Sequence, residues 1–241
     1  MKIFYKTTIT IILLLPTISG YTESTLPKAE DLIARHAEQL YGDTDLDKLS
    51  LTLRGTITIE QFNVDGPVVF KYKGRDKFFS NMNIFGTEIS RLCNAGKCWS
   101  KEMRGSFSAL DGKFLAHRQE VGDFGRFNHL SDYYQSLTNV GEEIIEGEPV
   151  FKVVGESKHG YSYDFYFAKA TGLLVSTHSK IPLTESVSEN TTFLSNFQQH
   201  GPLRLATQWY ESNPQIDSLI KITEVSFDPI PDSDFASPIV E

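Results

Sequence analysis

The chain has 241 residues and a formal net charge of −8, with 40% hydrophobic and 12% aromatic residues. That length suffices for one large β domain or two small ones, with a core that needs no staples. The acidic balance argues against nucleic acid, whose phosphates call for clustered Lys and Arg, and against an electrostatic grip on anionic membranes.

The first 20 residues read as a removable signal peptide. Lys2 and Lys6 give a positive start, and Thr10 to Leu15 give a short apolar stretch. Pro16 breaks it, and Thr17-Ile18-Ser19-Gly20 offers small residues for cleavage near residue 19 or 20. The apolar stretch is too short to span a bilayer, which takes about 20 residues. This predicts export, with residues 21–241 forming a single domain.

One helix follows. Thr25 suits its cap, Pro27 its first turn and Gly42 its end. Leu32, Ile33, His36, Ala37, Leu40 and Tyr41 share one face at helical spacing, which makes His36 a packed core residue rather than a metal ligand. The period then changes to two. Leu51, Leu53, Ile57 and Ile59 alternate with Thr52, Arg54, Thr56 and Thr58, as in a strand with one buried face. Strands are predicted over Pro67–Lys73 and Lys77–Ile84, and a hairpin over Glu88–Cys93 and Lys97–Lys101.

Cys93 and Cys98 bracket the turn sequence Asn94-Ala95-Gly96-Lys97. If strands flank that turn, the two side chains face each other, and an oxidising compartment would join them. A reactive pair is the alternative, although a redox motif separates its cysteines by two residues rather than four.

Asp111 to Glu120 reads as helical, and Phe124 to Leu137 as an irregular or helical insertion rich in aromatics. Alternation returns at Val140 and continues as a meander to Phe227, broken by turns at Lys158-His159-Gly160, Ala170-Thr171-Gly172, Gly201-Pro202 and Asn213-Pro214. The tail from Asp228 should lie along the surface. About ten antiparallel strands would curl as they twist, leaving a helix and an aromatic insertion to cover the inner face.

Several motifs fail on inspection. Asp43, Asp45 and Asp47 imitate a calcium loop, but Lys48 and Arg54 stand where glycine and glutamate belong. Gly155 to Gly160 has the wrong spacing for a nucleophile elbow. The six histidines are scattered without paired spacing, so neither a metal nor a cofactor is predicted. Glu142, Glu143, Glu146 and Glu148 suit a wet strand edge.

The order of elements resembles the LolA-like periplasmic carriers and the outer membrane lipoprotein-sorting proteins. The resemblance rests on the helix through Tyr41-Gly42 with the strand Leu49 to Glu60 (LSLTLRGTITIE). It also rests on Val140 to Val154 (VGEEIIEGEPVFKVV), on Tyr166 to Leu174 (YFAKATGLL) and on Ile222 to Pro238 (ITEVSFDPIPDSDFASP). It implies a mainly β (α+β) fold: one curved antiparallel sheet forming an open half-barrel, with helices over its concave side. It implies an apolar hollow for acyl chains, with a lipid or acylated lipoprotein as cargo and an inner- or outer-membrane protein as a further partner. No ligand contact of that family maps onto individual residues here.

Strand alternation alone points Leu53, Ile57, Ile59, Phe70, Tyr72, Phe78, Met82, Trp99, Tyr163, Phe165 and Phe167 inward, and Phe124, Phe127 and Tyr133 form a candidate lid. The function expected is a periplasmic lipid carrier without catalysis. The alternatives are a module docking a membrane protein without bound lipid, and a lipid hydrolase.

Overall fold

The structure is a computed structural model that describes residues 26–183 and 186–238. The proposed signal peptide and the Thr25 cap lie outside the described residues. Helix α1 spans Ala29–Tyr41 and starts after Lys28, so Pro27 precedes the first turn instead of occupying it. Glu30 and Asp31 there complement the positive end of the helix dipole. Gly42, at φ 52°, ends the helix by donating its N–H to the carbonyl of Glu38 at 2.9 Å. Leu32, Ile33, His36, Ala37 and Tyr41 are buried, the face that helical spacing selected.

The described residues form thirteen strands, all in one antiparallel sheet. The first six run outward from the middle as β1 (Ser50–Ile59), β2 (Val64–Lys73), β3 (Lys77–Ile84), β4 (Thr87–Asn94), β5 (Lys97–Lys101) and β6 (Phe107–Ala109). The chain then crosses to the opposite edge and works back. It does so as β7 (Tyr134–Ile145), β8 (Glu148–Ser157), β9 (Ser162–Ala168), β10 (Leu174–Pro182), β11 (Val187–His200), β12 (Leu203–Ser212) and β13 (Asp217–Ser226). Strand β13 pairs with β1, so β6 and β7 are the free edges and the sheet is not closed. The crossing segment carries α2 (Gly112–Gly122) and two short 3-10 turns, Arg126–Asn128 and Leu130–Asp132. Because it must travel from one edge to the other, this segment is drawn across the inner face. The curved open sheet is the half-barrel that the resemblance implied.

One strand and the first part of another escaped the sequence reading for physical reasons. Strand β6 has three residues, too few to show alternation. Strand β7 begins at Tyr134, inside the expected insertion, because an edge strand exposes most of its residues and so lacks an apolar period. The Asn94-Ala95-Gly96-Lys97 turn has positive φ at Ala95 (49°) and Gly96 (77°), a two-residue hairpin that sets Cys93 opposite Cys98. The two cysteines form a disulfide. Gly55 sits at a register shift between β1 and β13, where a Cβ would lie 1.9 Å from the Lys221 carbonyl oxygen. Only glycine allows the two central strands to approach so closely there.

Apolar residues divide between the two faces. The main core joins α1, the crossing segment and the inner face of the sheet. A small second core on the outer face unites Leu92 and Trp99 with Ile230 and Phe235 of the tail. The tail is tied down by Lys71 to Asp234 (2.6 Å), by Lys73 and Lys77 to Asp232, and by Asn94 donating to the Phe235 carbonyl (2.9 Å).

Candidate functional site

Between the sheet and its cover lies a cavity of about 600 Å³, within the range of small-molecule sites. Leu53 of β1, Phe70 and Tyr72 of β2, and Phe78 and Met82 of β3 line one side. Tyr163 of β9, Ile181 of β10, Trp209 of β12 and Ile220 of β13 line the other. The cover comprises Leu40 and Tyr41 of α1, Val121 of α2, and Phe124 and Phe127 of the crossing segment. His117 and Tyr163 stack, 5.9 Å apart and 13° from parallel, whereas other rings of the wall meet tilted. Phe70 and Trp209 centroids are 4.9 Å apart, Tyr72 and Phe124 5.2 Å, and Tyr41 and Phe124 5.6 Å.

The cover is fastened at defined points. Tyr41 donates its hydroxyl to the Phe124 carbonyl at 2.6 Å. Asp123 is buried and accepts hydrogen bonds from the Gly125 N–H (3.0 Å), the Tyr133 hydroxyl (2.7 Å) and His129 Nε2. Glu120 is fully buried and accepts from the hydroxyls of Tyr134 and Tyr161, both at 2.7 Å. Burial raises the Glu120 pKa, opposed by Arg126 and the two tyrosines.

Eight predicted residues line the cavity: Leu53, Phe70, Tyr72, Phe78, Met82, Tyr163, Phe124 and Phe127. Ile57, Ile59, Phe165 and Phe167 are buried in the adjoining core without contributing to the wall. Tyr133 packs beside the core and fastens the lid through Asp123 instead of lining the hollow. Trp99 is misassigned: it lies on the outer face against the tail, because period two turns its neighbour Cys98 inward. The sequence reading missed Trp209, Leu205 and Leu194, although the alternation Leu203, Leu205 in β12 was visible.

It also missed the polar part of the wall. Arg91, Arg118, Arg126 and His117 all line the cavity. His117 bonds the Tyr163 hydroxyl through Nε2 at 2.8 Å. Burial lowers its pKa to about 3, helped by Arg118 and Arg126, so it is neutral at pH 7. His36 is likewise held at about 3, by burial first and Arg126 second, while its Nδ1 accepts the Leu174 N–H at 3.1 Å. Arg118 falls to about 10 through burial and the nearby Arg91, and it stays charged at neutral pH. Among the described residues, no group of three or more His, Cys, Asp or Glu side chains is placed to hold a metal ion. The arrangement is suited to holding an apolar body against an aromatic wall with cationic groups at one part of it.

No family model matches the chain, and no curated protein matches it in sequence. Solved structures do match. A LolA superfamily protein from Nitrosomonas europaea aligns with TM-score 0.58 at 11% identity, over 88% of this chain and 99% of that one. A DUF1329 family protein from Desulfovibrio piger aligns with TM-score 0.56 at 16% identity, over 86% and 95%. A domain from Vibrio parahaemolyticus, provisionally named an outer membrane lipoprotein-sorting protein, aligns with TM-score 0.56 at 13% identity, over 86% and 97%. At such identities the likeness is one of architecture, and the chain has the LolA-like open half-barrel fold.

Proposed function

We propose that this protein is a periplasmic carrier that binds a lipid, or the acyl chain of a lipid-modified protein, and shields it from water without catalysis. The observation that carries this reading is the aromatic-walled cavity of about 600 Å³ under a fastened cover. The driving force is removal of apolar surface, about 0.8 kcal/mol per buried CH₂. The signal-like N-terminus and the Cys93–Cys98 disulfide support an exported, oxidising location. The shared fold with a LolA superfamily protein and a domain named for lipoprotein sorting supports a carrier role. A non-catalytic role is supported by the two neutral histidines of the wall, each already engaged by a tyrosine hydroxyl or a backbone N–H.

Native mass spectrometry of the protein purified from its own cells, followed by lipid extraction, tests this. A lipid or acylated peptide at near-unit stoichiometry is the expected result. A clean apo mass with no uptake of added lipids would overturn it and favour a module that docks a membrane protein through its surface.

A further inference from the structure

We propose that the cargo is an amphiphile with an anionic head, and that Arg118 and Arg126 receive that head inside the cavity. This deepens the carrier reading and rests on it. Both arginines belong to the cover, Arg118 on α2 and Arg126 on the first 3-10 turn, and both line the cavity. Their charges act on the same part of the wall. Each bears on the Tyr72 and Tyr163 hydroxyls and on the His117 ring.

Among the described residues, no carboxylate lies at ion-pair distance from Arg118 or Arg126, whereas Arg91 is paired with Glu102 at 2.8 Å. The Arg118 Nε is sealed from solvent and donates to no described group. Arg126 lies over the Phe127 ring, 5.2 Å from its centroid, which offers a cation only a partial substitute for an anion. Glu120 most favours the charge of Arg126, and Glu102 and Glu211 favour that of Arg118, each from beyond ion-pair distance. Glu120 is occupied by two tyrosine hydroxyls, and burial raises the pKa of Glu211 against the pull of Arg118.

A guanidinium taken from water without an anion is costly, and its planar fork fits a carboxylate or a phosphate. A head of that kind would satisfy both arginines while its alkyl chain lay along the aromatic wall. The two heads share oxyanion chemistry, and binding experiments separate them.

The test is displacement of the neutral probe N-phenyl-1-naphthylamine from the disulfide-intact protein. The competitors are palmitate, hexadecyl phosphate, hexadecanol and inorganic phosphate, each below its micelle concentration. The anionic amphiphiles should displace the probe at roughly tenfold or more lower concentration than hexadecanol. The tighter of the two identifies the head. In Arg118→Met and Arg126→Met that preference should shrink, and in the double variant it should approach one. Equal competition by hexadecanol and palmitate would overturn the inference and leave the carrier reading intact. An undiminished preference in a folded double variant would overturn it as well. Competition by inorganic phosphate as strong as that of hexadecyl phosphate would replace the amphiphile with a free anion. If no alkyl compound displaces the probe, both readings fall. The comparison in the unmodified protein is decisive even if the variants do not fold.

Discussion

Phe124, a lid candidate, and Phe165, an inward strand candidate, divide by role. Phe124 is half-buried on the cover and lines the cavity, while Phe165 is completely buried in the core. Phe165→Ala should therefore cost about 3–5 kcal/mol by chemical denaturation, the usual penalty for an emptied core position. Phe124→Ala should cost roughly 1–2 kcal/mol yet weaken uptake of a hydrophobic probe more than Phe165→Ala does once both are folded. Equal stability losses in the two would contradict the division of wall from core. His36 supplies a pH signature. Its folded pKa of about 3 lies below the unfolded value of 6.5, so the native state binds fewer protons between those limits. Stability should fall as pH drops from 6.5 toward 3, by up to about 1.4 kcal/mol per pH unit from this residue. Urea titrations of the protein and of His36→Asn at pH 7 and pH 5 check this, with the variant showing the shallower loss.

Among the elements, the β4–β5 hairpin and the lid are held by different means. The disulfide closes a loop across only five positions, so it constrains little of the unfolded chain. Replacing both cysteines by serine should cost on the order of 2 kcal/mol and leave ligand uptake intact, as read by denaturation and probe titration. The lid instead depends on Asp123, which gathers Gly125, His129 and Tyr133 around one carboxylate, with Arg75 Nε 3.7 Å away. Asp123→Ala strands these donors. It should speed hydrogen exchange across residues 124–133 while the amides of β1 and β13 keep their protection, and uniform loss of protection would show that the lid and sheet open as one. The same contrast explains what the sequence disclosed. The α1 stripe and the period of β1 and β2 were legible because one face of each is buried and the other wetter, and β9 was legible from its alternating Tyr163, Phe165 and Phe167. The lid was legible only as a loss of period rich in aromatics. Its Asp123 hub reaches Arg75, 48 positions away, and leaves no local pattern. Arg118 stood at helical spacing beside Phe114 and Leu115, but nothing nearby in the sequence revealed that it turns toward an apolar hollow.

Across the whole molecule, the tail is a brace for the outer face. Phe235 is fully buried, and its neighbours Leu92, Ile230 and Trp99 form a core separate from the cavity. Phe235→Ala should cost about 3–5 kcal/mol and shift Trp99 emission to the red, while leaving probe binding in the cavity within about twofold. Loss of binding together with the emission shift would mean that the two faces are coupled. Trp99 was read as inward from strand alternation taken in the wrong phase, since its neighbour Cys98 holds the inward place. The existence of a second core, built from a tail with three prolines, was not deducible from periods within β5.

A closed barrel has a circumference set by strand number and stagger, so its bore is fixed by its own hydrogen bonds. Here β6 and β7 end the sheet without pairing, and the segment bridging them is fastened by side chains rather than by a ladder. No hydrogen-bond register therefore dictates the distance between the two rims. On the proposed carrier reading, a vessel laced in this way would take cargoes whose tails differ in length.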